Sequence, residues 1–197
     1  MADDDKLTEC LARSLEASFD RLVLTYRDRL YALALRLCGS PRDAEEIAQD
    51  AFIRAYRALA GYAPERIAAL RLRAWLYTIT LNVARNRRRT HAVVETELEG
   101  LGAGREPAAD ERDEPEAAAQ CAELRRELAA ALAALPIRYR PAVVLRHVMG
   151  LGYRELAAVL RQPAGTAKSN VHRGTNLLRQ ALKEDRHGAT NSDDPAA

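Results

Sequence analysis

Between Arg73 and Arg89 the chain reads RAWLYTITLNVARNRRR, an aromatic and aliphatic stripe that runs into a cluster of arginines. The chemistry available there is recognition rather than bond breaking. Trp75 and Tyr77 offer ring faces for stacking, Asn82 and Asn86 offer amides that both donate and accept, and Arg85, Arg87, Arg88 and Arg89 offer positive charge to a phosphate backbone. Trp75, Leu76, Ile79, Val83 and Ala84 recur at helical spacing, and the arginines gather at the carboxyl end, where the helix dipole favours them. Two readings fit this stretch equally: a core helix with a solvated basic end, and a helix that touches unpaired bases and phosphates.

A second basic element lies near the other end of the chain. GYRELAAVL, Gly152 to Leu160, has Leu156, Ala157 and Leu160 on an inward face and is followed by the turn RQPAG and by TAKSNVHRGTNLLRQAL, Thr166 to Leu182. This is the grammar of a helix-turn-helix. Its second helix carries Lys168, His172, Arg173 and Arg179 with no acidic residue before Glu184, so an exposed face can approach phosphates and base edges. Val171, Leu177, Leu178 and Leu182 would supply the buried face, and plain helix packing is the alternative reading.

The elements that must position these residues are helical almost throughout. Ala, Leu, Arg and Glu dominate the 197 residues, and the 48% hydrophobic content is ample for one large or two small cores. Phe19, Leu22, Tyr26, Leu30, Leu33 and Leu37 set a helix over Leu15 to Cys38, which Gly39 ends. Ser40 then caps a helix with Pro41 at its first position and an apolar face of Ala44, Ile47, Ala51, Phe52, Ala55, Tyr56 and Leu59, broken by Gly61 and Pro64. With the arginine-rich helix these form one bundle over residues 15–90. Residues 91–116, rich in Glu, Asp, Gly and Pro, read as a flexible acidic linker. Periodicity resumes with Cys121, Leu124, Leu128, Leu132 and Leu135, so residues 117–183 form a second helical domain and residues 184–197 a disordered tail.

The net charge of +2 hides a segregation of basic and acidic blocks that points to a polyanionic partner. Cys10, Cys38 and Cys121 have no C-x-x-C spacing, and His91, His147, His172 and His187 are scattered, so neither a disulfide framework nor a metal site is expected, and no cofactor. The acidic start MADDDKLTEC lacks a signal peptide's basic and apolar regions, and no segment has membrane-spanning length, which places the chain in the cytoplasm without membrane insertion. No His, Asp and Glu set suits metal-assisted hydrolysis, so an enzyme is not expected.

Four blocks in order, DAEEIAQDAFIRAYRAL, AWLYTITLNVARNRRR, ALPIRYRPAVVLRHVMGLGYRELAAVL and GTAKSNVHRGTNLLRQAL, resemble the extracytoplasmic-function sigma factors of bacteria, the minimal two-domain branch of the housekeeping-type sigma family. The resemblance implies an all-α fold in which a region 2-like bundle is tethered to a region 4-like helix-turn-helix domain. It implies a subunit that binds core RNA polymerase, directs it to promoters and helps melt DNA. Gln49, Asp50 and Arg54 match positions that dock on the beta-prime clamp helices, and the second domain would meet the beta flap. Tyr62, Trp75, Tyr77, Asn82, Arg85, Asn86 and Arg88 fall in the minus-ten element, with Asn82 at the position of the family's base-reading asparagine and Trp75 chiefly holding the loop. Lys168, Ser169, His172 and Arg173 match the positions that read the minus-thirty-five element. An anti-sigma factor is implied as a further partner.

The chain departs from the pattern in three places. The segment APERIAALRLRA between Tyr62 and Trp75 is longer than the usual loop and lacks its Gly-acid-Ser core; Asn170 replaces a basic residue; and Gly174 sits within a helix at a cost of roughly 1 kcal/mol relative to Ala. Ala164 and Ala167 suggest a lightly packed turn. The competing function is a stand-alone helix-turn-helix regulator, which would bind duplex DNA without polymerase.

Overall fold

The computed structural model describes residues 2–97 and 115–190, with side chains described for 3–90 and 123–183. All the elements within those ranges are helical: α1 (Ala2–Arg13), α2 (Leu15–Cys38), α3 (Pro41–Ala60), α4 (Pro64–Ala68), α5 (Leu72–Glu97), α6 (Pro115–Ala134), α7 (Arg140–Val143), a π-helical turn (Val144–Val148), α8 (Tyr153–Leu160) and α9 (Ala164–Thr190). The amino-terminal bundle is built on α2, α3 and α5, whose buried Leu22, Tyr26, Leu30, Ala44, Ile47, Ala51, Ala55, Leu76 and Leu81 interlock. Small alanines along α3 let it lie close to α2.

Local chemistry sets the joints. Gly39 takes the left-handed conformation, φ +79°, and donates its N–H to the carbonyl of Leu35, ending α2. Two residues later Pro41 opens α3, and the Asp43 N–H donates to the hydroxyl of Ser40 across 3.3 Å. Both boundaries follow the expectation.

Other boundaries do not. The acidic start folds as α1, because Leu7 and Leu11, one helical turn apart, bury completely against α4 and α2, with Thr8 buried between them. Its Asp4 accepts a hydrogen bond from the buried Tyr26 hydroxyl at 2.5 Å, and burial together with this acceptor pushes the Tyr26 phenol well above its ordinary range. The supposed break at Pro64 is instead the first residue of α4, where a missing N–H costs nothing. At its carboxyl end α5 runs on to Glu97, and α6 begins at Pro115, so the helices enter both ends of the segment expected to be a linker. Residues 98–114 lie outside the described residues, as do the side chains of Cys121, His91 and His187. α9 likewise continues to Thr190, through Lys183, Glu184, Asp185 and Arg186. The remainder of the expected tail, 191–197, lies outside the described residues.

In the carboxyl-terminal half, α7, the π-helical turn, α8 and α9 wrap around Ala142, Val143, Val144, Leu145, Leu151, Leu156 and Val159. Gly174 is explained here. A Cβ at that position would lie 2.5 Å from Val143 Cγ2 and 3.0 Å from Tyr139 Cβ, so glycine is what permits α9 to approach α7. The fully buried Ala167 plays a similar part at the turn. Leu177 and Leu124, both assigned to apolar faces by periodicity, are exposed, as is Leu128: α6 and the middle of α9 carry more apolar surface than their partners cover.

The two halves touch. Arg73 on α5 donates to Glu155 on α8 at 3.2 Å, and Arg140 Nη1 donates to the Leu37 carbonyl at 3.0 Å. Arg140 also donates to the carbonyls of Leu135 and Ala133, and burial with neighbouring Arg88 depresses its affinity for its proton.

Candidate nucleic-acid interface

The first candidate site is assembled on α5 and the loop before it. With 3.6 residues per turn, Trp75, Ile79, Asn82, Asn86 and Arg89 fall along one side of the helix, with Thr78 and Arg85 beside them. Every one of these is half-buried or exposed: Trp75 and Ile79 pack partly against the core, and the side stays open to solvent as a stripe. Tyr62 closes its amino-terminal end: its ring centroid lies 6.2 Å from that of Trp75, with the planes tilted by 57°. An aromatic pair, then an amide at Asn82, then an amide and arginines at Asn86, Arg85 and Arg89 is the order in which an extruded base and its strand would be met.

Two expected members lie elsewhere. Tyr77 is 1% exposed and points into the core towards Tyr26, where burial raises its phenol pKa; in this conformation it is a packing residue with no face for a base. Arg88 projects from roughly the opposite side of α5. It lies near Arg140 and Arg85 in the cleft between the two halves, a space of about 520 Å³ whose apolar wall includes Leu37, Ile47, Leu81 and Ala84. Arg87 is consumed internally. It donates to Asp43 at 3.1 Å and to Glu46, and although burial opposes its charge, those two acids hold its pKa above the usual arginine value. Among the described residues Arg85 has no such compensation: burial, then Arg161 and Arg88, lower its pKa, so this end of α5 concentrates positive charge.

The second candidate site is the pair α8 and α9. Gly152 donates its N–H to Glu155 at 3.2 Å to start α8, and Arg161, at φ +53°, ends it in the left-handed conformation. The turn is tied by Asn170, which donates to Gln162 at 3.1 Å. That bond accounts for the uncharged residue at position 170, which serves the turn rather than a ligand. Lys168, His172 and Arg173 project into solvent and Ser169 is half-exposed, so the four lie on the outer side of α9. His172 is 3.2 Å from Asn176, which accepts from Arg179 at 3.3 Å, extending the polar row along the helix.

A third surface lies on α3. Gln49, Asp50 and Arg54 are all exposed on its outer side, and Ile53, 48% exposed, sits among them. Periodicity alone puts Ile53 out of phase with the buried Ala51 and Ala55, the one signal by which it was legible beforehand. Tyr56, assigned to the apolar face, is exposed at its rim and packs edge-on against Phe19, with centroids 4.9 Å apart. Cys38 is exposed at the end of α2. Desolvation nonetheless raises its pKa while its Sγ donates to the Ser40 carbonyl at 3.3 Å, which disfavours the reactive thiolate.

Among the described residues no group of three or more His, Cys, Asp or Glu could hold a metal ion, and no helix is long and apolar enough to cross a membrane.

Comparison with known proteins matches both halves separately. The profile of sigma-70 region 2 matches residues 22–93 and that of sigma-70 region 4 matches residues 125–178. The ECF RNA polymerase sigma factor SigE of Mycolicibacterium smegmatis is 38% identical over 165 residues, covering 84% of this chain; the chain spans 62% of that relative's length. The RNA polymerase sigma-H factor of Pseudomonas aeruginosa is 32% identical over 186 residues, covering 91% of this chain and 94% of its own. The ECF RNA polymerase sigma factor SigW of Bacillus subtilis is 32% identical, with 85% and 90% covered. Among solved structures, the sigma factor RpoE in complex with the anti-sigma factor NepR from Bartonella quintana superposes with a TM-score of 0.67 at 25% identity, over 84% of this chain and 96% of that one. CnrH in complex with the cytosolic domain of CnrY gives 0.64 at 24% identity over 92% and 98%, a likeness of fold.

Proposed function

Because the chain belongs to the extracytoplasmic-function RNA polymerase sigma factors, we propose that it works as an alternative sigma factor through the three surfaces described above. "Housekeeping-type" was too broad a description: the relatives are alternative factors that share the sigma-70 domain profiles. As a sigma factor it directs core RNA polymerase to promoters. It is a transcription regulator, acting in the cytoplasm and contributing binding energy rather than covalent chemistry.

The observation that carries the residue assignments is the open stripe of Tyr62, Trp75, Asn82, Arg85 and Asn86, set apart from the core face of the same helix. Melting a duplex requires a place for the base that leaves the stack, and this stripe offers ring faces, an amide and cations in sequence. Asn82 reads a base edge. Arg85 and Arg89 hold the strand. Arg88, exposed in the cleft that Arg85 and Arg89 also line, joins them as the two halves separate. The outer side of α9 enters the major groove of the minus-thirty-five element, with Lys168 and Arg173 on guanine or phosphate and Ser169 and His172 as adaptable contacts. Gln49, Asp50 and Arg54, with Ile53 as their apolar centre, dock on the beta-prime clamp helices of core polymerase, and the carboxyl-terminal half meets the beta flap. An anti-sigma factor would bind both halves together; the similar sigma factor RpoE of Bartonella quintana was solved in complex with the anti-sigma factor NepR.

Equilibrium binding to a labelled promoter fragment, with and without core polymerase, tests this. Tight specific binding only with core is expected. Equally tight, sequence-specific binding by the isolated chain would favour a stand-alone regulator.

A further inference from the structure

The segment between Tyr62 and Trp75, where the chain departs from its family, does not form an open loop. Pro64 starts α4, the buried Ile67 anchors it, and α1 packs along it, so the position of every residue on this short helix is fixed. One consequence is the placement of Arg66. Its guanidinium carbon lies 3.7 Å from the centroid of the Tyr62 ring, at van der Waals contact, with the side chain otherwise exposed. Among the described residues no ion pair involves Arg66.

Resting on the sigma reading above, we propose that Arg66 is a specificity-determining residue for the base extruded at the minus-ten element. A planar cation stacked at 3.7 Å fills the space a base would take on that face of Tyr62, so the free protein holds the stacking platform covered. When a base arrives, Arg66 gives up the ring and turns its fork of donors to the base edge, while Trp75 stays beside Tyr62, centroids 6.2 Å apart. A guanidinium fork satisfies two adjacent acceptors. Guanine offers such a pair at O6 and N7, and an unpaired cytosine offers one at O2 and N3. Adenine and thymine interrupt theirs with a donor or a separation. The captured base is therefore guanine or cytosine, and the shared feature is the paired acceptor.

The test is transcription from a promoter pool randomised through the minus-ten element, with core polymerase and the full chain as wild type, Arg66→Ala, Arg66→Lys or Arg66→Gln. Wild type is expected to enrich guanine or cytosine at one position, and which of the two appears distinguishes the sources of the acceptor pair. Arg66→Ala should lower that enrichment about tenfold, the scale of one bidentate contact, and leave the other positions and the minus-thirty-five preference unchanged. Arg66→Lys keeps the charge but loses the fork, and should fail to restore the preference. Arg66→Gln should move it towards adenine. Unchanged selection by Arg66→Ala, with discrete starts still made, overturns the proposal and leaves the sigma reading standing. A uniform loss at all positions, rescued by Arg66→Lys, also overturns it by making Arg66 a backbone contact. If the wild type directs no specific starts, both fall together.

Discussion

Neighbouring residues of α5 do different work. Asn82 and Arg87 share a helix, yet one sits on the open stripe and the other bridges Asp43 and Glu46 with its side chain only 27% exposed. Removing each should therefore damage a different property. Arg87→Ala is expected to lower the unfolding free energy by about 1–3 kcal/mol, because the half-buried cation that joins Asp43 and Glu46 is removed. Asn82→Ala should change stability by less than about 0.5 kcal/mol, as an exposed-side substitution does, and reduce open-complex formation at least tenfold. Urea unfolding paired with permanganate footprinting of the melted strand checks the contrast; equal effects of the two variants on both readouts would remove the distinction. Why sequence could not separate them is plain: four arginines in a row of five look alike until α3 supplies acids to one of them.

The helices were legible where local chemistry closes them. Gly39 ends α2, and Ser40 with Pro41 opens α3, because a left-handed glycine and a cap act within a few residues and need no tertiary partner. α1 and α4 were not legible separately because each stabilises the other: Leu7 and Leu11 are a sparse apolar signal in an acidic run, and their partner is a five-residue helix hidden behind a proline. Gly174 shows the same limit from another side. By helix propensity alone Gly174→Ala should stabilise by roughly 1 kcal/mol. With Val143 and Tyr139 in the way, the expected outcome is the reverse, a loss of about 1–3 kcal/mol as α9 is pushed from α7. Thermal unfolding measures the sign, and a gain in stability would show that the two helices separate without cost.

For the whole molecule, the arrangement of the two halves is a closed form held, among the described residues, by few polar links. Arg73 and Glu155 are about one-third exposed, so their ion pair contributes at most about 1 kcal/mol. Across the same boundary Arg85 faces Arg161 and Arg88 faces Arg140, like charges that work against closure. Binding to polymerase and to a polyanion should therefore open the molecule readily. Arg73→Ala, which leaves Glu155 capping α8, is expected to raise the radius of gyration of the free chain in small-angle scattering while the melting of each half stays unchanged; an unaltered radius would show that the remaining contacts, the Arg140 bond to the Leu37 carbonyl among them, suffice to hold the closed form. Promoter-directed initiation is the function expected of the opened molecule. It is tested most directly by run-off transcription with start-site mapping, using core RNA polymerase and genomic DNA fragments with this chain added or omitted. Discrete starts that appear only with the chain present, preceded by two shared sequence elements, are the expected result. Tight duplex binding by the chain alone, with no new start, would contradict it.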